Sequence, residues 1–159
     1  MVRSNAGLIP SKKIIAFIKE QEGFNPRPYV NNFGEVAIGY GSIRYEDDVR
    51  VHIIDEEIDE EYANYLLQLT LLEYADCVIN KAEHPMEQHQ FDALLSFAFT
   101  IGCHSFNASA LMTAFNKDPQ SRDIALQFVK WNKVKNRFHK KLAIRRQIEA
   151  NIYFYGEEY

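Results

Sequence analysis

The sequence predicts a mostly helical α+β fold, in which a small β-hairpin lobe and a larger helical lobe are joined by a long helix. Short β-like runs broken by turn residues fill the stretch from Phe24 to Ile54, and helical apolar periodicity dominates the remainder. With 159 residues, 47% of them hydrophobic, the chain can form one domain with a buried core. We expect a single domain over 1–159, divided into a first helix (about 11–22), a β-containing lobe (23–58), a connecting helix (59–80) and a helical lobe (81–159).

The first helix and the hairpin after it are marked by their boundary residues. Ser11 is a favourable N-cap, an apolar stripe follows it, and Gly23 ends the helix. Residues 31–34 (Asn-Asn-Phe-Gly) have the pattern of a hairpin turn, and the apolar run over 36–41 follows as the returning strand. The alternation of apolar residues over 49–53 predicts a further short edge strand or an extended segment.

The longer helices carry similar boundary signals. Asp59 caps the connecting helix, which has two glutamates in its first turn and runs to about Asn80. Pro85 opens the next helix, whose wide apolar face predicts a central position, and Gly102 closes it. Trp131 is expected in the core of the helical lobe. Three more helices are expected, over Ser109–Phe115, Arg122–Trp131 and Phe138–Tyr155.

The charge distribution gives no general attraction to nucleic acid, because the net charge is -4. Nine carboxylates fall within 46–61, and eight of the eighteen Lys and Arg residues fall within 130–146. The basic stretch would attract an anionic polymer, although both runs also fit ordinary solvated surfaces.

Cofactor, metal and membrane functions find no support in the sequence. Cys77 and Cys103 are too few for a disulfide framework or a metal site, and we expect them to be reduced and partly buried. The five histidines lack metal-ligand spacing, so we expect no metal and no cofactor. Residues 1–9 contain no long apolar run, which predicts neither a signal peptide nor membrane insertion.

Glu22 is the candidate proton donor. It stands at the end of the first helix, where the chain turns into the β-containing lobe and two lobes would form a cleft. A partly desolvated carboxyl group at such a junction can act as a general acid. A glutamate at a helix end is also a common solvated surface group, so the position needs support from its neighbours.

That support comes from a motif around Glu22. Glu22 is followed by Gly23, Phe24, Tyr29, Gly34 and the Ile-Gly-Tyr-Gly segment at 38–41. Further segments downstream belong to the same pattern: 58–63, 90–99, Ile101-Gly102, 128–132 around Trp131, Leu142, Arg145-Arg146 and Glu149. Together they resemble the signature of family 24 glycoside hydrolases, the lysozymes of tailed phages, over roughly 11–156. The resemblance implies a lysozyme-like fold.

The resemblance implies cleavage of the β-1,4 bond between N-acetylmuramic acid and N-acetylglucosamine in peptidoglycan, with Glu22 protonating the glycosidic oxygen. In the family, a carboxylate and a threonine hold and activate water on the other face of the sugar, as in inverting hydrolysis. The matching positions here are Asn31 and Ala37, which cannot act as a base. Ser42 and Thr100 replace two further polar residues of the family's cleft.

These replacements leave three hypotheses open. Glu35 could supply the missing carboxylate, although strand alternation predicts that it points away from Asn31 and Ala37. A lytic transglycosylase that uses Glu22 alone, with an internal nucleophile from the substrate, needs no activated water. The third hypothesis is a catalytically impaired lysozyme fold that serves as a peptidoglycan-binding or structural module.

The remaining candidate site residues are Tyr29, Tyr40, Thr100 and Arg145. The two tyrosines could stack on sugars or pack in the hairpin, and Arg145 or Arg146 could pair with Glu22 or form a surface helix face. The expected partners are glycan strands of peptidoglycan, bound by a monomer. The resemblance further implies synthesis in the host cytoplasm without a signal peptide, and action on the cell wall after holin-type release.

Overall fold

A computed structural model describes residues 4–156 and 159. Helix α1 (Lys12–Glu22) begins at Ser11, whose hydroxyl accepts the Ile14 N–H at 3.1 Å. Its buried residues are Ile14, Phe17 and Ile18, and the helix ends at Gly23. The predicted cap and apolar stripe are therefore present, and α1 delivers its last residue, Glu22, to the start of the hairpin.

Strands β1 (Asn25–Val30) and β2 (Val36–Gly39) form the antiparallel hairpin, in which Tyr29 pairs with Ala37. β2 packs against the following long helix, α2 (Glu60–Lys81). Gly39 has φ +65°, and a Cβ atom on it would lie 2.8 Å from the Cβ of Ala63. Glycine is required here because it tolerates both the close approach and the left-handed backbone.

Residues 49–53 form no regular strand, so the edge-strand alternative predicted for them is wrong. Within 42–58 the chain forms isolated bridges, Ile38 with Ser42 and Arg44 with Arg50, and no regular strand. Val51 is buried, whereas Val49 and Ile53 are exposed, so the apolar alternation buries only one side chain. The segment is therefore an irregular loop between β2 and α2.

The connecting helix α2 begins at Asp59, whose carboxylate accepts the Tyr62 N–H at 2.8 Å, as the sequence predicts. The central helix is α3 (Gln88–Ile101), in which every residue from Gln90 to Ala98 is buried. It packs against α1, α2, α4 (Cys103–Asn107) and α7 (Lys140–Tyr155). The other elements are a short 3₁₀ helix (Asn5–Gly7), α4 (Cys103–Asn107), α5 (Ala110–Lys117), α6 (Asp123–Val129), β3 (Lys133–Val134), β4 (Arg137–Phe138) and α7 (Lys140–Tyr155).

Several features of the helical lobe differ from the prediction. Helix α4 and the β3–β4 hairpin were not expected. Trp131 lies at the edge of the lobe, 37% exposed, with its ring against Phe97. Cys77 of α2 and Cys103 of α4 are joined in a disulfide, so the expectation of reduced cysteines is wrong. Sequence spacing could not reveal that α2 and α4 pack together. None of the described helices is both long and apolar enough to cross a bilayer.

Candidate active site

A cleft of about 1180 Å³ runs along the small lobe. Its walls are the end of α1, the β1–β2 hairpin and the loop after it, one face of α2, the end of α3 and the beginning of α7. The cleft is lined by both polar and apolar side chains, and its volume is above the usual range of ligand-binding clefts.

Glu22 forms part of the cleft wall, with its side chain 24% exposed. Its Oε1 accepts a hydrogen bond from Nη1 of Arg145 at 2.6 Å. A Cβ atom on Gly41, where φ is +87°, would lie 3.2 Å from Oε2 of Glu22. Glycine at 41 therefore leaves the second carboxyl oxygen free of crowding. One oxygen of Glu22 is held, and the other borders the open cleft.

Arg145 is held on several sides at once. Its Nε donates to Oε1 of Glu149 at 3.2 Å, and its Nη2 lies 3.1 Å from Oγ of Ser96. Only 7% of the Arg145 side chain is exposed. Bonds in three directions fix the plane of a guanidinium group. The Nη1 atom is consequently directed towards Glu22.

Glu149 and Arg146 lie behind Arg145 in the core. Oε1 of Glu149 also accepts from Oγ of Ser96 at 2.6 Å and from Nη2 of Arg146 at 2.7 Å. Both side chains are fully buried. Burial lowers the pKa of Arg146 to about 10, against the opposing effect of Glu149. Glu22, Arg145, Arg146 and Glu149 thus form a charge-balanced set between α1 and α7.

Thr100 lines the cleft, but its hydroxyl group is hydrogen-bonded to residues of α3 and α7. It accepts from Nη2 of Arg146 at 3.1 Å and donates to the Ser96 carbonyl oxygen at 3.1 Å. Its hydroxyl proton is therefore already engaged, and the geometry gives it a supporting contact to Arg146.

Asn31 and Ala37 lie where neither can activate water. Oδ1 of Asn31 accepts the backbone N–H groups of Phe33 and Glu35, at 2.9 and 3.0 Å, and thereby closes the hairpin turn. Asn31 lines the cleft, whereas Ala37 is fully buried and contributes nothing to its surface.

Glu35 lines the cleft, so the orientation predicted from strand alternation is wrong. Glu35 belongs to the turn before β2, where alternation does not apply. Across the cleft, burial raises the pKa of Tyr74, and the charges of Glu35 and Glu73 raise it further. Besides Glu22, the cleft is lined by the carboxylates of Glu35 on the hairpin, Glu46 and Asp48 in the loop after it, and Glu73 of α2.

The two candidate tyrosines have different positions. Tyr29 lines the cleft, and burial raises its pKa, with a further contribution from the charge of Glu22. Tyr40 is 4% exposed and donates from its hydroxyl to Oε1 of Glu60 at 2.5 Å. Burial and this hydrogen bond raise the pKa of Tyr40 to about 12. Tyr40 therefore packs in the small lobe and is not among the residues that line the cleft.

Sequence reasoning did not identify Ser96, Gly41 or Glu149 as part of this site. Two signals point to Glu149: it belongs to the C-terminal pattern that matches the family, and it follows Arg145 and Arg146 by four and three residues, a spacing at which side chains meet on a helix. Among the described residues, no group of three or more His, Cys, Asp or Glu side chains could hold a metal ion.

Sequence comparisons identify related phage proteins. The endolysin of Bacillus phage B103 is 33% identical over 145 residues, which cover 90% of this chain and 53% of that protein. The endolysin of Acyrthosiphon pisum secondary endosymbiont phage 1 is 29% identical over 125 residues, covering 79% and 81%. The chain spans about half the length of its Bacillus phage relatives.

Solved structures share the fold. The endolysin from Escherichia coli O157:H7 phage FAHEc1 superposes with a TM-score of 0.84 at 27% identity, covering 96% of this chain and 98% of that one. The muramidase domain of SpmX from Asticaccaulis excentricus gives 0.77 at 26% identity, covering 92% and 97%. The family model for phage lysozyme matches residues 19–149, which is most of the sequence and includes Glu22, Arg145 and Glu149. The chain therefore belongs to the phage lysozyme family, with a lysozyme-like, mostly helical fold.

Proposed function

We propose that the protein cleaves the β-1,4 bond between N-acetylmuramic acid and N-acetylglucosamine in peptidoglycan, with Glu22 as the general acid. The observation that carries the proposal is the Glu22 carboxyl on the cleft wall, held through Oε1 by Arg145. The relatives named endolysins and the neighbour named a muramidase support this substrate class.

In the proposed reaction, protonated Glu22 transfers its proton to the glycosidic oxygen while the C1–O bond breaks. The bonding electron pair stays with the leaving oxygen, and positive charge develops at C1 of the sugar. General acid catalysis of this kind contributes about 10²–10⁴-fold to a rate. Tyr29 lines the cleft near Glu22 and is the better placed of the two tyrosines to contact the sugar.

The electron-deficient C1 can then react in two ways. In hydrolysis, water adds its oxygen to C1 and loses a proton to a base, a role for which Glu35 is the carboxylate available on the hairpin side of the cleft. Asn31 and Ala37 offer no such base, because the Asn31 oxygen is engaged and Ala37 is buried.

Because Asn31 and Ala37 offer no base, the geometry also favours a second candidate, a lytic transglycosylase. Here the 6-hydroxyl of the muramic acid attacks its own C1, and the Glu22 carboxylate takes up the hydroxyl proton. The products are a 1,6-anhydro end and a new free hydroxyl, and Glu22 returns to its acid form. This cycle needs no second carboxylate.

A turbidity assay on outer-membrane-permeabilised Gram-negative cells tests the proposal. We expect wild type to lyse the cells and Glu22→Gln to slow lysis at least about 100-fold. Glu20→Gln, an exposed carboxylate of the same helix, is the matched control and should retain wild-type activity. An inert wild type that binds sacculi and gains lysis on Asn31→Asp would contradict the proposal and favour the binding module.

Mass spectrometry of the digested sacculi separates the two routes. Reducing ends, together with loss of lysis in Glu35→Gln, are the expected result for hydrolysis. If the products instead carry 1,6-anhydro ends, and Glu35→Gln still forms them, the protein is a lytic transglycosylase that uses Glu22 alone.

We further propose that the protein acts as a monomer on the cell wall, after synthesis in the host cytoplasm and holin-type release. Glu22, Arg145 and Glu149 all come from one chain, which supports a site that needs no second copy. Size-exclusion chromatography with light scattering tests the oligomeric state, and lysis that requires co-expressed holin tests the release route.

A further inference from the structure

We propose that Glu149 is a positioning residue for Glu22. It fixes the Arg145 guanidinium in the orientation that meets the acid, and its negative charge offsets one of the two arginine charges behind the cleft. The inference rests on the proposed function, in which Glu22 must carry a proton to react.

Glu149 is separated from the cleft by Arg145. It is 0% exposed, and its Oε1 accepts hydrogen bonds from the side chains of Ser96, Arg145 and Arg146. Ser96 belongs to the fully buried stretch of α3, so its hydroxyl is a rigid reference point. Because Arg145 is bonded to Ser96, Glu149 and Glu22, its guanidinium is the hydrogen-bonded link between Glu149 and the acid.

The electrostatic part of the inference follows from the charges around Glu22. The two buried arginines, Arg145 and Arg146, carry two positive charges. When Glu149 is ionised, its negative charge compensates one of them, and Glu22 is the other carboxylate of the group. Without that charge, both arginines would stabilise ionised Glu22, and the acid would lose its proton at lower pH. Lys141 donates to the Gln21 carbonyl oxygen beside Glu22, and the charge of Glu22 acts on Tyr29 of β1. The other charged and titratable side chains that line the cleft are Glu35, Arg44, Tyr45, Glu46, Asp48, Glu73, Tyr74 and His139.

The test compares wild type with Glu149→Gln in the full chain. We expect the alkaline limb of the activity–pH profile to move to lower pH by about one unit. The ¹³C titration midpoint of the Glu22 carboxyl should move in the same direction. The kcat at neutral pH should fall, while KM stays within about twofold, because substrate contacts are unchanged.

Two variants separate positioning from stability. Glu149→Asp retains the charge, so its alkaline limb should stay near that of wild type. Asp92→Asn alters another fully buried carboxylate, which accepts from Ser11 and Tyr159 at the far end of α1. Asp92→Asn should lower the free energy of unfolding without moving the alkaline limb of the activity–pH profile.

An unchanged Glu22 midpoint in Glu149→Gln would overturn the inference. This readout needs no turnover, so an inactive wild type would defeat the proposed function while the role of Glu149 is still tested. If Glu149→Gln does not fold, Ser96→Ala takes its place. It keeps both charges but removes the hydroxyl that contacts Arg145 and Glu149. Ser96→Ala should lower kcat without moving the limb, and an unchanged kcat would also overturn the inference.

Discussion

Nη1 of Arg145 lies 2.6 Å from Oε1 of Glu22, although the two residues are 123 positions apart in the sequence. The contact joins the last residue of α1 to the second turn of α7, and both side chains are largely shielded from water. Charge-assisted hydrogen bonds are stronger in such surroundings than at an exposed surface. The geometry of the proposed acid therefore depends on how α7 docks beside α1.

The hairpin turn gives a prediction about Asn31. Asn31→Ala should lower the free energy of unfolding by about 1 kcal/mol, because the N–H groups of Phe33 and Glu35 lose their acceptor. Urea denaturation measures the change. Asn31→Asp keeps an oxygen at the same position and is the control, so its stability should stay close to that of wild type. Equal stability of the alanine variant would show that the turn does not need this side chain.

The Cys77–Cys103 disulfide gives a prediction about stability. It closes a loop with a sequence separation of 26, so its removal in the double alanine variant should cost about 3 kcal/mol of unfolding free energy. Guanidinium denaturation with and without dithiothreitol measures this. Wild type should lose stability on reduction, and the double variant should not respond. A wild type insensitive to dithiothreitol, with thiols that titrate as free, would contradict the bond.

Two glycines near the site give a matched pair. Alanine at either Gly39 or Gly41 should lower stability by about 1 kcal/mol or more, because both positions have positive φ. At Gly39 the new methyl meets Ala63, whereas at Gly41 it meets the Glu22 carboxyl. We expect Gly41→Ala alone to lower lytic activity at temperatures where both variants are fully folded. Equal losses of lytic activity in Gly39→Ala and Gly41→Ala would show that Gly41 has no specific effect on the Glu22 carboxyl.

Tyr40 gives a prediction about alkaline pH. Its pKa is raised to about 12 in the folded state from 10.0, so below pH 10 both states keep the proton. Above pH 10 the unfolded tyrosine ionises first, and stability is lost as the pH rises towards 12. The loss should be about 1 kcal/mol between pH 9 and 11.

Urea denaturation of wild type and Tyr40→Phe over this pH range measures the effect, and the variant should show a shallower decline. Phe24→Leu disturbs the same ring packing but leaves the hydroxyl, so its decline should match that of wild type. Identical slopes in wild type and Tyr40→Phe would rule out this source of pH dependence.

Local signals in the sequence predicted much of the fold. Ser11 and Asp59 cap their helices because capping depends on bonds within one turn, which neighbouring residues determine. The choice between Arg145 and Arg146 could not be made from sequence alone. Successive residues point about 100° apart on a helix, and only packing decides that Arg145 meets Glu22 while Arg146 points into the core.

What the sequence did not reveal depends on contacts between distant segments. The Cys77–Cys103 bond requires α2 and α4 to lie side by side, and nothing in the spacing encodes this. Glu35 lies in a turn, so the alternation rule for strands gave the wrong side. Tyr40 belongs to the motif around Glu22, yet its hydroxyl faces Glu60 of α2, a partner identified only by the folded hairpin.

The long interval between Glu22 and Arg145 also affects biosynthesis. During translation, α1 leaves the ribosome more than a hundred residues before its cationic partner on α7. A nascent chain would thus carry the glutamate without the arginine that orients it. Any ability to attack a glycan would arise only after the ribosome has released α7 and that helix has docked.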